Sequence, residues 1–302
     1  MKKSVPLYFN PESGSSEEAL EQIRNDARIK LEPVSPENMA AIIQKAVKQG
    51  TERVLVSGGD GTISLAASHL AGKNTELAVI PSGTLNHFAQ RTGIPTQVAE
   101  ALDVALYSKA RPVDVGYVND RLFINTSAVG AYPVFVRSRK YLQNRMNYYP
   151  ATIIAGIRRL FKFRLVRMSL AGKQLQTPLV FIGVGERELR LPHLGQVKIQ
   201  GEKGLHLIAV DCRSGREAVQ LIVRALFSGI DPLLSERRIE NQLVDGIELH
   251  FRRRRRRVHV TLDGELVRLQ APLVYRFAPG EIMVAIPEER QALDRQQPLA
   301  GQ

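Results

Sequence analysis

Apolar and polar positions alternate in short blocks through the first 110 residues. Val5-Pro6-Leu7-Tyr8-Phe9 is an apolar run of strand length, and it predicts a first strand. It ends in the polar turn Asn10-Pro11-Glu12-Ser13-Gly14. Ser15, Ser16, Glu17 and Glu18 then supply caps and early acids for a helix over residues 16–27. Ser35 and Pro36 open a second helix that runs to Gln49-Gly50, with Met39, Ile42, Ile43 and Ala46 on one face. Arg53-Val54-Leu55-Val56-Ser57 reads as a buried strand, Gly58-Gly59-Asp60-Gly61-Thr62 as a glycine-rich turn, and residues 63–70 as a helix. Leu77-Ala78-Val79-Ile80 predicts a third strand, ending in Pro81-Ser82-Gly83-Thr84-Leu85-Asn86. Helices over residues 86–91 and 97–107 follow, the latter turning Val98, Ala101, Leu102 and Ala105 inward.

Alternating strands and helices with short connections predict a doubly wound α/β sheet, in which ligands bind at the strand carboxyl ends. All three polar turns fall at such ends and are expected to line one crevice. A glycine-rich turn from a strand into a helix presents backbone N–H groups and a helix N-terminus, an arrangement suited to a phosphate.

From Pro112 the pattern changes. Residues 112–118 and 121–125 read as two strands joined at Asn119-Asp120. A basic helical stretch over residues 148–163 follows. Strand-like segments then dominate: 164–170, 179–184, 205–210, 244–252, 258–262, 265–269 and 273–277, with helical patterning returning at residues 214–228. The expected fold class is α/β, an N-terminal doubly wound domain plus a C-terminal antiparallel β-sandwich-like domain. The expected boundaries are residues 1–115 for the first domain and 116–272 for the second. Residues 273–287 form a strand returning to the first domain, and 288–302 a polar, disordered tail.

The charge changes the picture more than the rest of the composition. The 302 residues carry a formal net charge of +12, and it is unevenly placed. Residues 121–185 contain no Asp or Glu, and residues 252–257 are six consecutive arginines. A one-signed surface of this kind attracts anionic partners. The arginine run is not interleaved with aromatics and no nucleic-acid-recognition module is visible, so nucleic acid is not expected. Docking on an anionic membrane face fits better, with Tyr148, Tyr149, Ile153, Ile154, Leu160 and Phe161 set among Arg158, Arg159 and Lys162. A solvated strand and an ordinary core-facing helix explain the same residues. The single cysteine, Cys212, excludes an internal disulfide framework. No leader sequence and no membrane-spanning apolar run are read, and the expected location is cytoplasmic, peripheral on the inner face of the membrane.

The motifs taken together resemble the diacylglycerol kinase catalytic-domain family, lipid kinases that include sphingosine and ceramide kinases. The residues that carry the resemblance are the turns at 10–14 and 58–62, Pro81-Ser82-Gly83-Thr84-Leu85-Asn86-His87-Phe88-Ala89, Asp114-Val115-Gly116, Asn125-Thr126-Ser127-Ala128-Val129-Gly130 and Asp263-Gly264-Glu265. They cover about residues 4–287. The Gly-Gly-Asp-Gly turn is shared with NAD kinases and phosphofructokinases.

The resemblance implies an NAD kinase/diacylglycerol kinase-like fold whose first domain binds the nucleotide. It implies ATP as phosphoryl donor, with Mg²⁺ arriving on the nucleotide, and a lipid hydroxyl as acceptor. It assigns the nucleotide to Asn10, Ser13, Gly14 and Thr84, and the catalytic base to Glu265; Gly58, Gly59, Asp60, Gly61, Thr62, Gly83 and Asn86 are read with them as nucleotide-binding, and Asp60 is also read as catalytic beside Glu265. Asp60, set against a phosphate, makes sense facing a cation or the reacting hydroxyl, or holding the loop through backbone N–H groups. Asp114 and His87 are expected to support the phosphate network; His87 stands where the family has an Asp. Relatives also carry a structural Mg²⁺ in the second domain, at an acid that falls here on Lys203. That site is expected to be absent, with an ammonium in place of the cation's charge. A homodimer is left open. Taken singly, each turn reads equally well as a helix cap, and Asp263-Gly264-Glu265 as a hairpin. An NAD kinase-type enzyme and a non-catalytic nucleotide-binding regulator are the competing readings.

Overall fold

The computed structural model describes residues 4–11, 16–130, 166–170, 173–177, 179–187, 198, 201–210, 217, 239–251 and 257–288. Ser13, Gly14, the expected basic helix at 148–163, most of the helix at 214–228, Cys212, arginines 252–256 and the tail from 289 lie outside the described residues. The chain divides into two units, Met1–Val115 with Ala278–Gln302, and Gly116–Phe277.

The first unit is built on parallel strands: β1 (Val5–Phe9), β2 (Ile29–Pro33), β3 (Arg53–Gly58) and β4 (Glu76–Pro81). The carboxyl half of the long strand β16 (Leu273–Ala285) joins them, pairing Val284 with Leu77 in parallel. The order is β2-β1-β3-β4-β16. The chain therefore moves from β1 to one neighbour, β2, and then crosses to the other, β3. Strands β1 and β3 flank a topological switch point, where open α/β sheets leave a crevice at their carboxyl ends.

Burial explains why β3 and β4 are the middle of this sheet. Val54, Leu55, Val56, Leu77, Ala78, Val79 and Ile80 are all buried, as expected for strands covered on both faces. Helix α3 (Asp60–Leu70) covers them with Ile63, Ala66, Ala67 and Leu70, and α5 (Val98–Tyr107) with Val98, Ala101, Leu102 and Ala105. Helix α2 (Pro36–Lys48) buries Met39, Ile43 and Ala46. Helix α1 (Ser16–Glu21) is shorter than its expected span of 16–27. The Asp26 carboxylate accepts the backbone N–H and the guanidinium of Arg28, closing a side-chain turn that competes with the helix.

The second unit contains two sheets. One runs β12 (Ile239–Val244), β11 (Leu205–Val210), β10 (Leu179–Val184), β7 (Thr126–Gly130), β14 (Arg257–Leu262), β15 (Glu265–Gln270), antiparallel throughout. The other places residues 273–277 of β16 beside β13 (Gly246–Phe251), then β8 (Val166–Leu170) and β9 (Lys173–Thr177), again antiparallel. Val129, Val180, Ile182, Leu207 and Val260 from the first sheet share one core with Val166, Leu175, Leu249, Leu273 and Tyr275 from the second. The α/β class with an antiparallel sandwich-like second half is thus what the sequence pattern anticipates. Tyr275, almost fully buried, reaches across the core to Ser127, with its hydroxyl 2.9 Å from the serine oxygen. Burial pushes the Tyr275 phenol well above its ordinary range.

Three strands escape the sequence pattern: β2, β9 and β12. Each is the outermost strand of its sheet. An edge strand hydrogen-bonds on one side and covers little core, so it keeps polar residues such as Lys30, Gln174 and Asn241 and shows no apolar run.

The edge strand β12 is held by a histidine. His206 on β11 is buried, and its Nδ1 accepts the Arg187 backbone N–H at 2.6 Å. Its proton therefore sits on Nε2, which contacts the Asn241 Oδ1 acceptor of β12. Burial lowers its proton affinity below the ordinary value of 6.5. The unfolded chain binds this proton more readily than the folded one, so the stability contribution is complete above about pH 6.5 and is lost as the pH falls through the lowered value. The thermal midpoint is expected to drop as the pH falls below about 6.5. A His206→Gln chain should show a shallower drop when both are followed by circular dichroism. Parallel curves for the two chains would refute this role.

Candidate functional site

Strands β1, β3 and β4 end together at the carboxyl edge of the first sheet. The turns that follow are joined to one another before any ligand is considered. Gly59 and Gly83 touch backbone to backbone: a Cβ on Gly83 would stand 2.4 Å from the Gly59 Cα. No side chain fits at Gly83, whereas a Cβ on Gly59 would make a tight contact of 3.3 Å with the Gly83 Cα. Ser57 and Ser82, both buried, join their hydroxyls at 3.0 Å across β3 and β4. The Ser82 N–H donates to the Gly58 carbonyl at 3.1 Å. A Cβ on Gly58 would meet the Thr62 Cβ at 2.5 Å, so Thr62 packs back onto its own turn.

Asn86 adopts a left-handed conformation at φ 49°. Its Oδ1 accepts the Gly83 N–H at 2.9 Å and its Nδ2 donates to the Gly83 carbonyl at 2.7 Å. The amide thus closes a ring around Gly83. Asn or Asp is among the few non-glycine residues that tolerate this backbone region.

Asp60 opens α3, and its carboxylate reaches the next helix, α4 (His87–Thr92). Oδ1 accepts the Phe88 N–H at 2.9 Å and Oδ2 the His87 N–H at 3.1 Å. The acid therefore caps α4 from another element, satisfying two amides of its first turn. Of the readings open for Asp60, holding the loop through backbone N–H groups is the one the geometry displays.

The polar surface above this frame is mixed. Gly61, Thr84 and His87 are exposed, while Asn10, Gly59, Asp60, Thr62, Gly83 and Asn86 are partly covered. The first turn of α3 directs amide N–H groups out of the same edge. Leu85, 61% exposed, stands among them, and Gln90 fixes its carbonyl with a 2.9 Å bond. Asp114 is directed elsewhere within this unit: its Oδ1 accepts the Gly280 N–H at 2.8 Å, tying β5 (Ala110–Val118) to β16. Arg91 donates to the Asp114 carbonyl at 3.1 Å.

In the second unit, Asp263 and Gly264 are the two-residue turn between β14 and β15, at φ 47° and 86°. The Asp263 carboxylate accepts three backbone N–H groups: Ile124 at 2.8 Å, Asn125 at 2.7 Å and Thr126 at 2.9 Å. The hairpin is thereby fastened to the start of β7. Glu265 follows as the first residue of β15 and is exposed. The hairpin reading and a chemical role for Glu265 are compatible: Asp263 supplies the anchor and leaves Glu265 at a fixed tip. The sequence pointed to Glu265 and missed Asp263, although an Asp at a left-handed turn position is a ready acceptor for neighbouring amides.

A second cluster forms around Glu186. The Lys198 ammonium meets its Oε1, and the Glu202 N–H donates to its Oε2 at 3.1 Å. Lys198 holds the Glu186 carboxyl below the usual carboxylate range. Lys203 is exposed. Among the described residues, no group of three or more His, Cys, Asp or Glu side chains is placed to hold a metal ion, and no helix is long and apolar enough to cross a membrane.

The diacylglycerol kinase catalytic domain matches residues 5–118. A diacylglycerol kinase of Staphylococcus carnosus is 25% identical over 248 residues, covering 68% of this chain and 80% of the relative. A diacylglycerol kinase of Staphylococcus aureus is 34% identical over 142 residues, where the match spans 43% of this chain and 44% of the relative. A diacylglycerol kinase structure from Bacillus anthracis superposes with a TM-score of 0.64 at 18% identity, covering 96% of this chain and 99% of that one. That likeness shows the shared fold.

The joined turns make a steric forecast. A Gly83→Ala substitution should destabilise the chain by about 1–3 kcal/mol in a urea titration, because the added methyl meets rigid backbone. An unchanged midpoint would mean that the Gly59–Gly83 contact does not constrain the edge.

Proposed function

We propose that the chain, whose residues 5–118 match the diacylglycerol kinase catalytic domain, is a member of that family and an ATP-dependent lipid kinase. It transfers the γ-phosphoryl group to a hydroxyl of diacylglycerol or a related lipid. The single observation that carries the reading is the carboxyl edge of the first sheet, where the glycine turns after β3 and β4 are locked together at the start of α3. The names of the relatives favour a lipid acceptor over NAD and over a non-catalytic regulator.

The roles follow from the chemistry of each group. Backbone N–H groups at Gly59, Gly61 and Thr62, with the Thr62 and Thr84 hydroxyls, suit the phosphate oxygens. Asn10, Ser13 and Gly14 are assigned to the same nucleotide. Gly83 and Asn86 shape the second turn, and their mutual hydrogen bonds make that role structural. Asp60 keeps α4 in place by accepting the His87 and Phe88 N–H groups. As a carboxylate at the start of α3 it would face a cation arriving with the nucleotide, and such a cation would supply charge neutralisation to the phosphates. His87, exposed beside Asp60, adds a donor for phosphate. Asp114 acts at a distance, by fixing β5 against β16.

Glu265 is the proposed general base. A lipid hydroxyl attacks phosphorus poorly until its proton has an acceptor, and a carboxylate at a rigid hairpin tip provides one. The proton passes to Glu265 as the oxygen bonds phosphorus and ADP leaves. A surface with formal net charge +12 would hold the chain at an anionic leaflet, where the acceptor resides.

Incubation with labelled ATP and a total lipid extract should label one lipid class. Glu265→Gln should reduce that transfer by at least about 100-fold, the scale of general-base catalysis, while leaving nucleotide affinity within about twofold. Full activity in Glu265→Gln would remove the base from this residue; labelling of NAD in place of lipid would overturn the acceptor.

A further inference from the structure

The resemblance implies a structural Mg²⁺ in the second unit, at the segment leading into β11. The residues described there do not fit one. Mg²⁺ asks for near-octahedral oxygen ligands, with carboxylates turned toward the ion. Two carboxylates stand at this place: that of Glu202 lies on an exposed residue, and Glu186 has both oxygens engaged, Oε1 by the Lys198 ammonium and Oε2 by the Glu202 N–H. The surrounding backbone is closed as well. The Lys198 N–H donates to the Glu186 carbonyl at 2.9 Å, the Gly201 N–H to the Lys198 carbonyl at 3.1 Å, and the Glu186 N–H to the Glu202 carbonyl at 3.1 Å. A Cβ on Gly201 would stand 2.7 Å from the Glu186 Cβ and 2.9 Å from the Lys198 Cβ, so the segment is folded tightly over this pair.

We propose that Lys198 is an internal counter-ion that takes the place of a divalent cation, so that the second unit folds and stays folded without metal. The expectation located such an ammonium at Lys203; that side chain is exposed, and the contact with a carboxylate is made by Lys198. The cluster borders a larger polar assembly. The Gly185 N–H donates to the Gly204 carbonyl at 2.9 Å. Arg187, next to Glu186, donates from its guanidinium to the Asn125 and Val184 carbonyls at 2.7 and 3.0 Å, and its backbone N–H goes to buried His206. Glu186, paired with Lys198, directly precedes Arg187, whose backbone N–H meets His206 of β11. A monovalent side chain supplies charge without the exchange that a bound ion undergoes, and its presence does not vary with the metal content of the surroundings.

The inference rests on the family assignment for the site it replaces, and its test reads stability, which is independent of kinase activity. The full chain is melted in excess chelator and in about 10 mM Mg²⁺ or Ca²⁺. The midpoint of the unaltered chain should coincide in all three. Lys198→Met should lower the midpoint, and adding Glu186→Gln to it should return most of the loss, because the carboxylate no longer lacks a counter-charge. Lys198→Asp adds a carboxylate beside Glu186 and should make the midpoint cation-dependent. Added ion at ten times its dissociation constant shifts the folding equilibrium by about tenfold. Three results would each overturn the proposal: a midpoint of the unaltered chain that rises with Mg²⁺ or falls with chelator, a Lys198→Met chain as stable as the original, or a Lys198→Asp chain indifferent to cations.

Discussion

The contact between Gly59 and Gly83 is the constraint on which the candidate site depends. Two strand-to-helix turns can share one sheet edge only if neither fills the space of the other, and here the backbones meet with no room for a methyl group. Everything nearby is arranged around that approach. The Asn86 amide encircles Gly83, the two serines join β3 to β4, and Asp60 reaches over to start α4. A glycine in such a turn is usually discussed as a way for backbone to approach a phosphate. At this edge it first lets backbone approach backbone, and the surface of the candidate site is a product of that packing.

The second unit repeats the device with different chemistry. There the joint is a carboxylate: Asp263 gathers three consecutive amides at the start of β7 and so locks a hairpin whose next residue is Glu265. In both units a short-range polar clamp fixes a turn and leaves a neighbouring side chain exposed at a defined place. Preorganisation of that kind is what a group-transfer site requires, because reacting groups must be held before the substrate arrives.

How much was legible follows from what each feature needs. Strands β3 and β4, covered on both faces, announce themselves as apolar runs, and α2 and α5 show their buried stripes. The edge strands β2, β9 and β12 do not, since an edge requires few apolar residues. Glycine turns and the Asp-Gly hairpin were visible because backbone geometry restricts residue type there. The partners of Asp60, Asp263 and Glu186 were not, because a carboxylate accepting backbone amides leaves no trace in the identity of the residues that donate them. Lys198 and Glu186 lie 12 positions apart, a separation that carries no periodic signal. Residue 203 drew attention as a lysine in the place of an acid, yet the folded chain uses a different lysine.

Strand β16 sets the order in which the chain can be completed. Its Val284 pairs with Leu77, so the parallel sheet of the first unit includes a strand made after nearly the whole second unit has been synthesised. A nascent chain that has emerged only as far as Val118 holds β1 to β4 but leaves the β4 side of the sheet unpaired, an open edge of the type that recruits other strands. Closing it joins residues more than 200 positions apart, a loop whose entropy must be overcome before the sheet gains the contact. The sheet that carries the candidate site therefore becomes complete late, when translation has passed nearly the whole second unit.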